Sequence, residues 1–195
     1  EYFKYNNYSH CIGSFAIEAD IVAYSEIEGG QDWALLRVRD KETPAPYVAS
    51  LFPEHDIENV HIFDPCYAVG ASLGHAPIAT NGHICYMDDE ISHYRYWMST
   101  AQTIFGNSGG ALYRFSESRK EYEYIGIPSR ITVQPMGFSS DPITHMGYFI
   151  PIERVYNLLR DNNYHFIFDD SMSFEECAKL RGDVEEDDDD TSEDE

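Results

Sequence analysis

Residues 105–110 read Phe-Gly-Asn-Ser-Gly-Gly (FGNSGG), a crowded glycine cluster unlike any other in the chain. A serine hydroxyl attacks poorly unless a base takes its proton and a pair of donors receives the developing oxyanion. The stretch suits the second demand. Gly106 can bring its backbone N–H beside that of Ser108 in a conformation that strains other residues, and Gly109 and Gly110 keep one face clear. The same letters also spell a tight bend between two strands that needs positive φ. Six residues alone do not choose between these readings, so the neighbours must.

On both sides the chain reads as short strands. Runs alternate or are rich in β-branched and aromatic residues, and Gly, Pro, Asn or Asp bound them. SFAIEADIVAYSEI (14–27) alternates like an exposed antiparallel strand pair, and DWALLRV (32–38) follows the turn Gly29-Gly30-Gln31. Further strands are expected at 47–52, 66–72, 82–87, 94–100, 111–115, 122–131 and 146–152. A helical pattern comes only late. PIERVYNLLRDN (151–162) places Val155, Leu158 and Leu159 on one face, and SFEECAKLR (173–181) pairs Ser173 with Glu176 as a capping box. This describes an all-β sandwich or barrel.

Composition narrows the function classes. The 195 residues suffice for one domain or two small barrels sharing a core. No apolar run approaches the roughly 20 residues of a membrane helix, and no basic-then-apolar leader opens the chain. The formal net charge is −22, from 35 acidic and 13 basic side chains. DVEEDDDDTSEDE (183–195) holds ten of the acidic groups and no basic ones, and is expected to be a disordered tail. Its roles are solubility, docking to a basic partner, or phosphorylation at Thr191 and Ser192. Direct nucleic-acid binding is not expected, since phosphate backbones demand a basic surface. Cys11, Cys66, Cys85 and Cys177 lie far apart with no CxxC pair, which favours free thiols in a reducing intracellular compartment. No metal or cofactor is expected, because the eight histidines are scattered as well.

Over about residues 15–165 the sequence resembles the trypsin/chymotrypsin-like serine peptidases, especially the disulfide-poor HtrA-like type. DWALLRV is similar to that family's Asp-x-Ala-Leu strand, whose aspartate orients the catalytic histidine. GNSGGALY resembles its nucleophile turn, and YIGIPSRI resembles the strand that pairs with bound substrate. MGYFIPIERVYNLL is similar to the strand that passes into the family's closing helix. The resemblance implies a double six-stranded antiparallel β-barrel with a C-terminal helix, its first barrel either whole or incomplete. It implies a first-barrel remainder over 1–52, a second barrel with its closing helix over 53–165, and a short helical extension over 166–182. By the same resemblance Ser108 matches the nucleophile and Asp32 the triad acid, and the amides of Gly106 and Ser108 match the oxyanion hole. Gln102 falls near the floor of the primary specificity pocket, with Ser129, Arg130 and Ile131 as one wall and Gly147 as another. Asn107 stands where the family also allows Asp, which fits an enzyme not activated by N-terminal cleavage.

The family's order is His, Asp, Ser. His10, in YSHCIGS, is the one histidine before Asp32, and His followed by Cys resembles the family's Ala-His-Cys. The interval of 22 residues to Asp32 is short, and only nine residues precede His10. Three readings stay open: the true histidine lies upstream of Glu1, His10 is the base of a trimmed barrel, or the base is lost. The expectation is therefore a serine endopeptidase acting on protein or peptide substrates. The alternative is an inactive trypsin-like fold serving as a protein-binding or assembly module.

Overall fold

The computed structural model describes residues 2–26, 30–39 and 48–183. The acidic tail expected at 183–195 lies, apart from Asp183, outside the described residues, as do Gly29 and Tyr47. The chain divides into two compact units, Glu1–Arg154 and Val155–Glu195.

The first unit is built from strands. β1 (Tyr2–Tyr5) pairs antiparallel with β2 (Cys11–Phe15), and β3 (Ala19–Tyr24) with β4 (Ala34–Val38), as two separate two-stranded ribbons. The alternating run at 14–27 therefore holds the end of β2 and all of β3, and each pairs outward rather than with the other. The strand expected at 47–52 shrinks to β5 (Ser50–Leu51), which joins the main sheet in parallel.

Six longer strands follow: β6 (Pro65–Gly70), β7 (Ile78–Ile91), β8 (Tyr94–Ser99), β9 (Ala111–Ser116), β10 (Glu121–Met136) and β11 (Ser139–Pro151). Their order β11-β8-β7-β6-β9-β10, with β10 pairing back onto β11, closes a six-stranded barrel in which every rung is antiparallel. Closure removes the unpaired edges that an open sheet would present. The inward-facing side chains fill it. Cys66, Ala68, Ile84, Tyr96, Ile125 and Ile150 have no exposed surface, and Trp97 meets Phe149 edge to face at 5.8 Å between ring centroids. One charged side chain is buried too. Glu123 is 1% exposed and is held by the guanidinium of Arg119, which also reaches Asp56 at 3.2 Å. Burying a carboxylate is tolerable only with such a partner.

β7, β10 and β11 outrun their expected lengths. Residues 132–136 pair with 139–143 as a hairpin beyond the barrel, turning at Gly137 with φ 62°. Pro135, Gly137 and Pro142 make this stretch read as a loop, yet an exposed hairpin can seat prolines where no ladder bond is required.

α1 (Ile152–Asp161) follows β11 directly. In the second unit α2 (Phe174–Arg181) is capped as its sequence indicates. The Glu176 amide donates to the Ser173 hydroxyl at 3.1 Å, and the Ser173 amide donates to the Glu176 carboxylate at 2.7 Å. Gly182 ends the helix in the left-handed region at φ 75°.

Candidate active site

The FGNSGG turn links β8 to β9 and is pinned from inside by Asn107, which is 2% exposed. Its carboxamide oxygen accepts from the Ser72 hydroxyl at 2.7 Å and from the Ile104 amide at 3.2 Å. Its own amide donates to the Ile104 carbonyl at 3.0 Å, and its carbonyl accepts from the Gly110 amide at 2.9 Å. Gly106 sits at φ 97°, where a Cβ would come within 2.4 Å of the Ala71 carbonyl oxygen, so only glycine fits. The amides of Gly106 and Ser108 donate to no acceptor among the described residues, which leaves both N–H groups for a ligand.

The Ser108 hydroxyl is exposed and donates to the Ser129 carbonyl at 3.1 Å. Ser129 is the extra residue of a bulge in β10: Pro128 faces Phe149 and Arg130 faces Tyr148, with Ser129 unmatched between them. Bulges re-aim side chains beside functional sites. Here the bulged residue turns its carbonyl to Ser108 and its hydroxyl to the Asp32 carboxylate, to which it donates. Nothing in the local sequence marks the bulge, because register is set by the partner strand.

Asp32 itself adopts φ 55° in the turn before β4. Its neighbours hold that turn. The Trp33 amide donates to the Ser25 hydroxyl at 3.1 Å, and the Trp33 indole donates to the Gln31 side-chain oxygen at 3.1 Å. Gln31 in turn donates to the Tyr94 hydroxyl at 2.8 Å, and the buried Tyr96 hydroxyl donates to the Gly30 carbonyl at 2.9 Å. Two tyrosines of β8 thereby tie the aspartate's turn to the barrel, a role the sequence reading did not assign to them.

Ser108 and Asp32 share an open groove of about 920 Å³, whose apolar walls include Ile21, Tyr24, Trp33, Leu36 and Ile127, and which Arg130 also lines. The remaining sequence-derived candidates lie elsewhere. Gln102 is exposed, and its carbonyl accepts from the Thr80 hydroxyl at 2.8 Å. Gly147 is buried against Thr103 and faces Ile131 across the β10–β11 ladder. His10 is exposed on the turn between β1 and β2, its amide donating to the Asn6 side chain at 3.0 Å. It does not line the groove, nor does any other histidine among the described residues.

The family model of the trypsin-like peptidase domain matches residues 4–119, a span that carries both Asp32 and Ser108. The chain belongs to the trypsin-like peptidase family. Solved structures extend the likeness beyond residue 119. The HtrA-type protease AlgW with a decapeptide is 20% identical, at a TM-score of 0.56, over 80% of this chain and 42% of that one. The same protease with a tripeptide is 23% identical, at a TM-score of 0.51, over 66% of this chain and 38% of that one. The trypsin-like domain thus spans about two fifths of the length of these structures, and at such identities the likeness is one of fold. No curated protein matches the sequence.

Proposed function

We propose that this trypsin-like domain is the nucleophile-bearing part of a serine endopeptidase. The observation that carries the reading is that Ser108 and Asp32 line one groove and are linked through Ser129, beside two amides with no acceptor among the described residues. Ser108 Oγ attacks a peptide carbonyl while a histidine takes its proton. The tetrahedral oxyanion accepts hydrogen bonds from the amides of Gly106 and Ser108. Collapse expels the amine, protonated by the imidazolium, and leaves an acyl-serine that water hydrolyses. Asp32 accepts the imidazole's second N–H and fixes its tautomer. His10 is the candidate base within this sequence, and the role requires the β1–β2 turn to reach the Ser108–Asp32 end of the groove. The AlgW structures hold peptides, which supports a peptide as the ligand here.

Hydrolysis of a quenched fluorescent peptide mixture tests this reading. Ser108→Ala is expected to lower the rate by about a thousandfold or more, and Asp32→Asn by a comparable factor. A folded wild type whose rate equals that of Ser108→Ala overturns it. Full activity in His10→Ala assigns the base to a histidine other than His10. One observation favours a second reading: no described histidine lines the groove. On that reading the domain binds peptides without cleaving them: the quenched peptides stay dark, while fluorescence anisotropy of an end-labelled peptide reports binding.

A further inference from the structure

The groove beside Ser108 is lined by one basic side chain among the described residues, Arg130, in a chain of formal net charge −22. Its guanidinium carbon lies 5.3 Å from the centre of the Tyr96 ring. That of Arg154 lies 4.9 Å from the same centre and 4.7 Å from the centre of Tyr94. Two guanidinium groups therefore stack on one buried phenol whose hydroxyl is already engaged by the Gly30 carbonyl.

The two arginines are not equivalent. Arg154 donates to the carbonyls of Arg95 at 3.1 Å and Gln31 at 3.0 Å, so it serves the turn that carries Asp32. Arg130 has neither a hydrogen-bond acceptor nor an ion pair among the described residues. By contrast Arg39, Arg95, Arg114, Arg119 and Arg181 each hold a carboxylate. Asp32 lines the same groove but is engaged by the Ser129 hydroxyl, and no carboxylate among the described residues pairs with Arg130, so in so acidic a protein this groove cation points to an anion brought by the ligand. Stacking on Tyr96 restrains the guanidinium and presents its planar fork, which matches a carboxylate.

Position supports the same conclusion. Ser129 accepts the Ser108 hydroxyl, and Arg130 is the next residue along β10. With a rise of roughly 3.3 Å per residue in extended chain, a carboxylate at Arg130 belongs to a substrate residue within a few positions of the bond facing Ser108.

We propose that Arg130 is a specificity-determining residue that selects peptides carrying Asp or Glu close to the scissile bond. The proposal rests on the peptidase reading of the groove for the word substrate, but the binding preference itself does not need turnover.

The experiment uses the full chain as Ser108→Ala. Fluorescein-labelled nonapeptides of alternating Ala and Val, with one Glu or one Gln scanned through the sequence, are titrated by fluorescence anisotropy. At one or two positions the Glu peptide is expected to bind at least about tenfold more tightly than its Gln counterpart. Adding Arg130→Gln removes that preference while leaving binding of the Gln peptide in place, because the remaining acidic surface repels the Glu peptide. Arg130→Lys keeps the charge without the fork and retains part of the preference, and 0.5 M salt shrinks it. Equal binding of Glu and Gln peptides at every position overturns the proposal, as does a preference that survives Arg130→Gln. If Arg130→Gln loses its cooperative unfolding transition, the Lys variant and the salt series decide, and a preference unmoved by both overturns it. Phosphonylation of Ser108 in the otherwise unaltered chain is scored separately. Acid-selective binding without it retires the peptidase reading and leaves the Arg130 site standing, while phosphonylation without acid selectivity does the reverse.

Discussion

Gly106 and Asp32 both hold positive φ, 97° and 55°, at either end of the Ser108–Ser129 link. For Gly106 the conformation is enforced by contact, since a Cβ would press into the Ala71 carbonyl oxygen. Gly106→Ala is therefore expected to destabilise the chain by about 1–3 kcal/mol, read from the urea midpoint, and to slow phosphonylation of Ser108 as its amide is displaced. At Asp32 the cost is offset by the Ser129 hydroxyl and by the Gln31 and Trp33 bonds that fix the turn. The thiols give a second check at this scale. Burial pushes the Cys66 thiol up to about 12, and Cys85 moves in the same direction for the same reason. A raised thiol carries almost no thiolate at pH 8. Iodoacetamide at that pH is expected to modify the exposed Cys11 in the folded chain and to reach the buried Cys66 and Cys177 only after urea is added, as read by peptide mass.

Elements show which features are local and which are not. The capping box of α2 was legible because Ser173 and Glu176 are three residues apart and their bonds are made within one turn. Ser173→Ala is expected to cost about 1 kcal/mol, seen as faster amide exchange over 174–181. The Glu176 carboxyl is held below its ordinary value, first by the Ser173 amide and then by its hydroxyl. A carboxyl depressed on folding stabilises fully above its unfolded value, near about 4.3, and loses that contribution as the pH falls through the folded one. Protection factors over 174–181, taken against the intrinsic rate at each pH, are accordingly expected to fall as the pH drops below about 4, and less so in Glu176→Gln. The FGNSGG turn was legible for the same reason, its three glycines falling within five residues. The bulge at Ser129 was not, because two hydrogen-bonded strands define it and neither sequence alone does. The hairpin over 132–143 was missed because Pro135, Gly137 and Pro142 carry the composition of a loop.

Across the whole molecule, strand alternation made the all-β class readable and located most strands of the closed barrel to within a few residues. Closure itself was not readable from strand patterns, since it depends on β10 returning to β11, and it came only through the family resemblance. The barrel's stability rests on its filled interior, so Trp97→Ala, which empties the contact with Phe149, is expected to cost about 3–5 kcal/mol in urea unfolding. Of the candidate site, Ser108 and Asp32 were found from motifs and meet at one groove, whereas Tyr94, Tyr96 and the Ser129 hydroxyl act through contacts between distant parts of the chain. The central claim is that Ser108 is an activated nucleophile, and a fluorophosphonate probe tests it most directly. Incubation of the folded chain, followed by peptide mass mapping, is expected to place one phosphonyl group on Ser108, with none on Ser108→Ala and slower modification of Asp32→Asn. A folded chain that stays unmodified, or one labelled at another serine, contradicts the account.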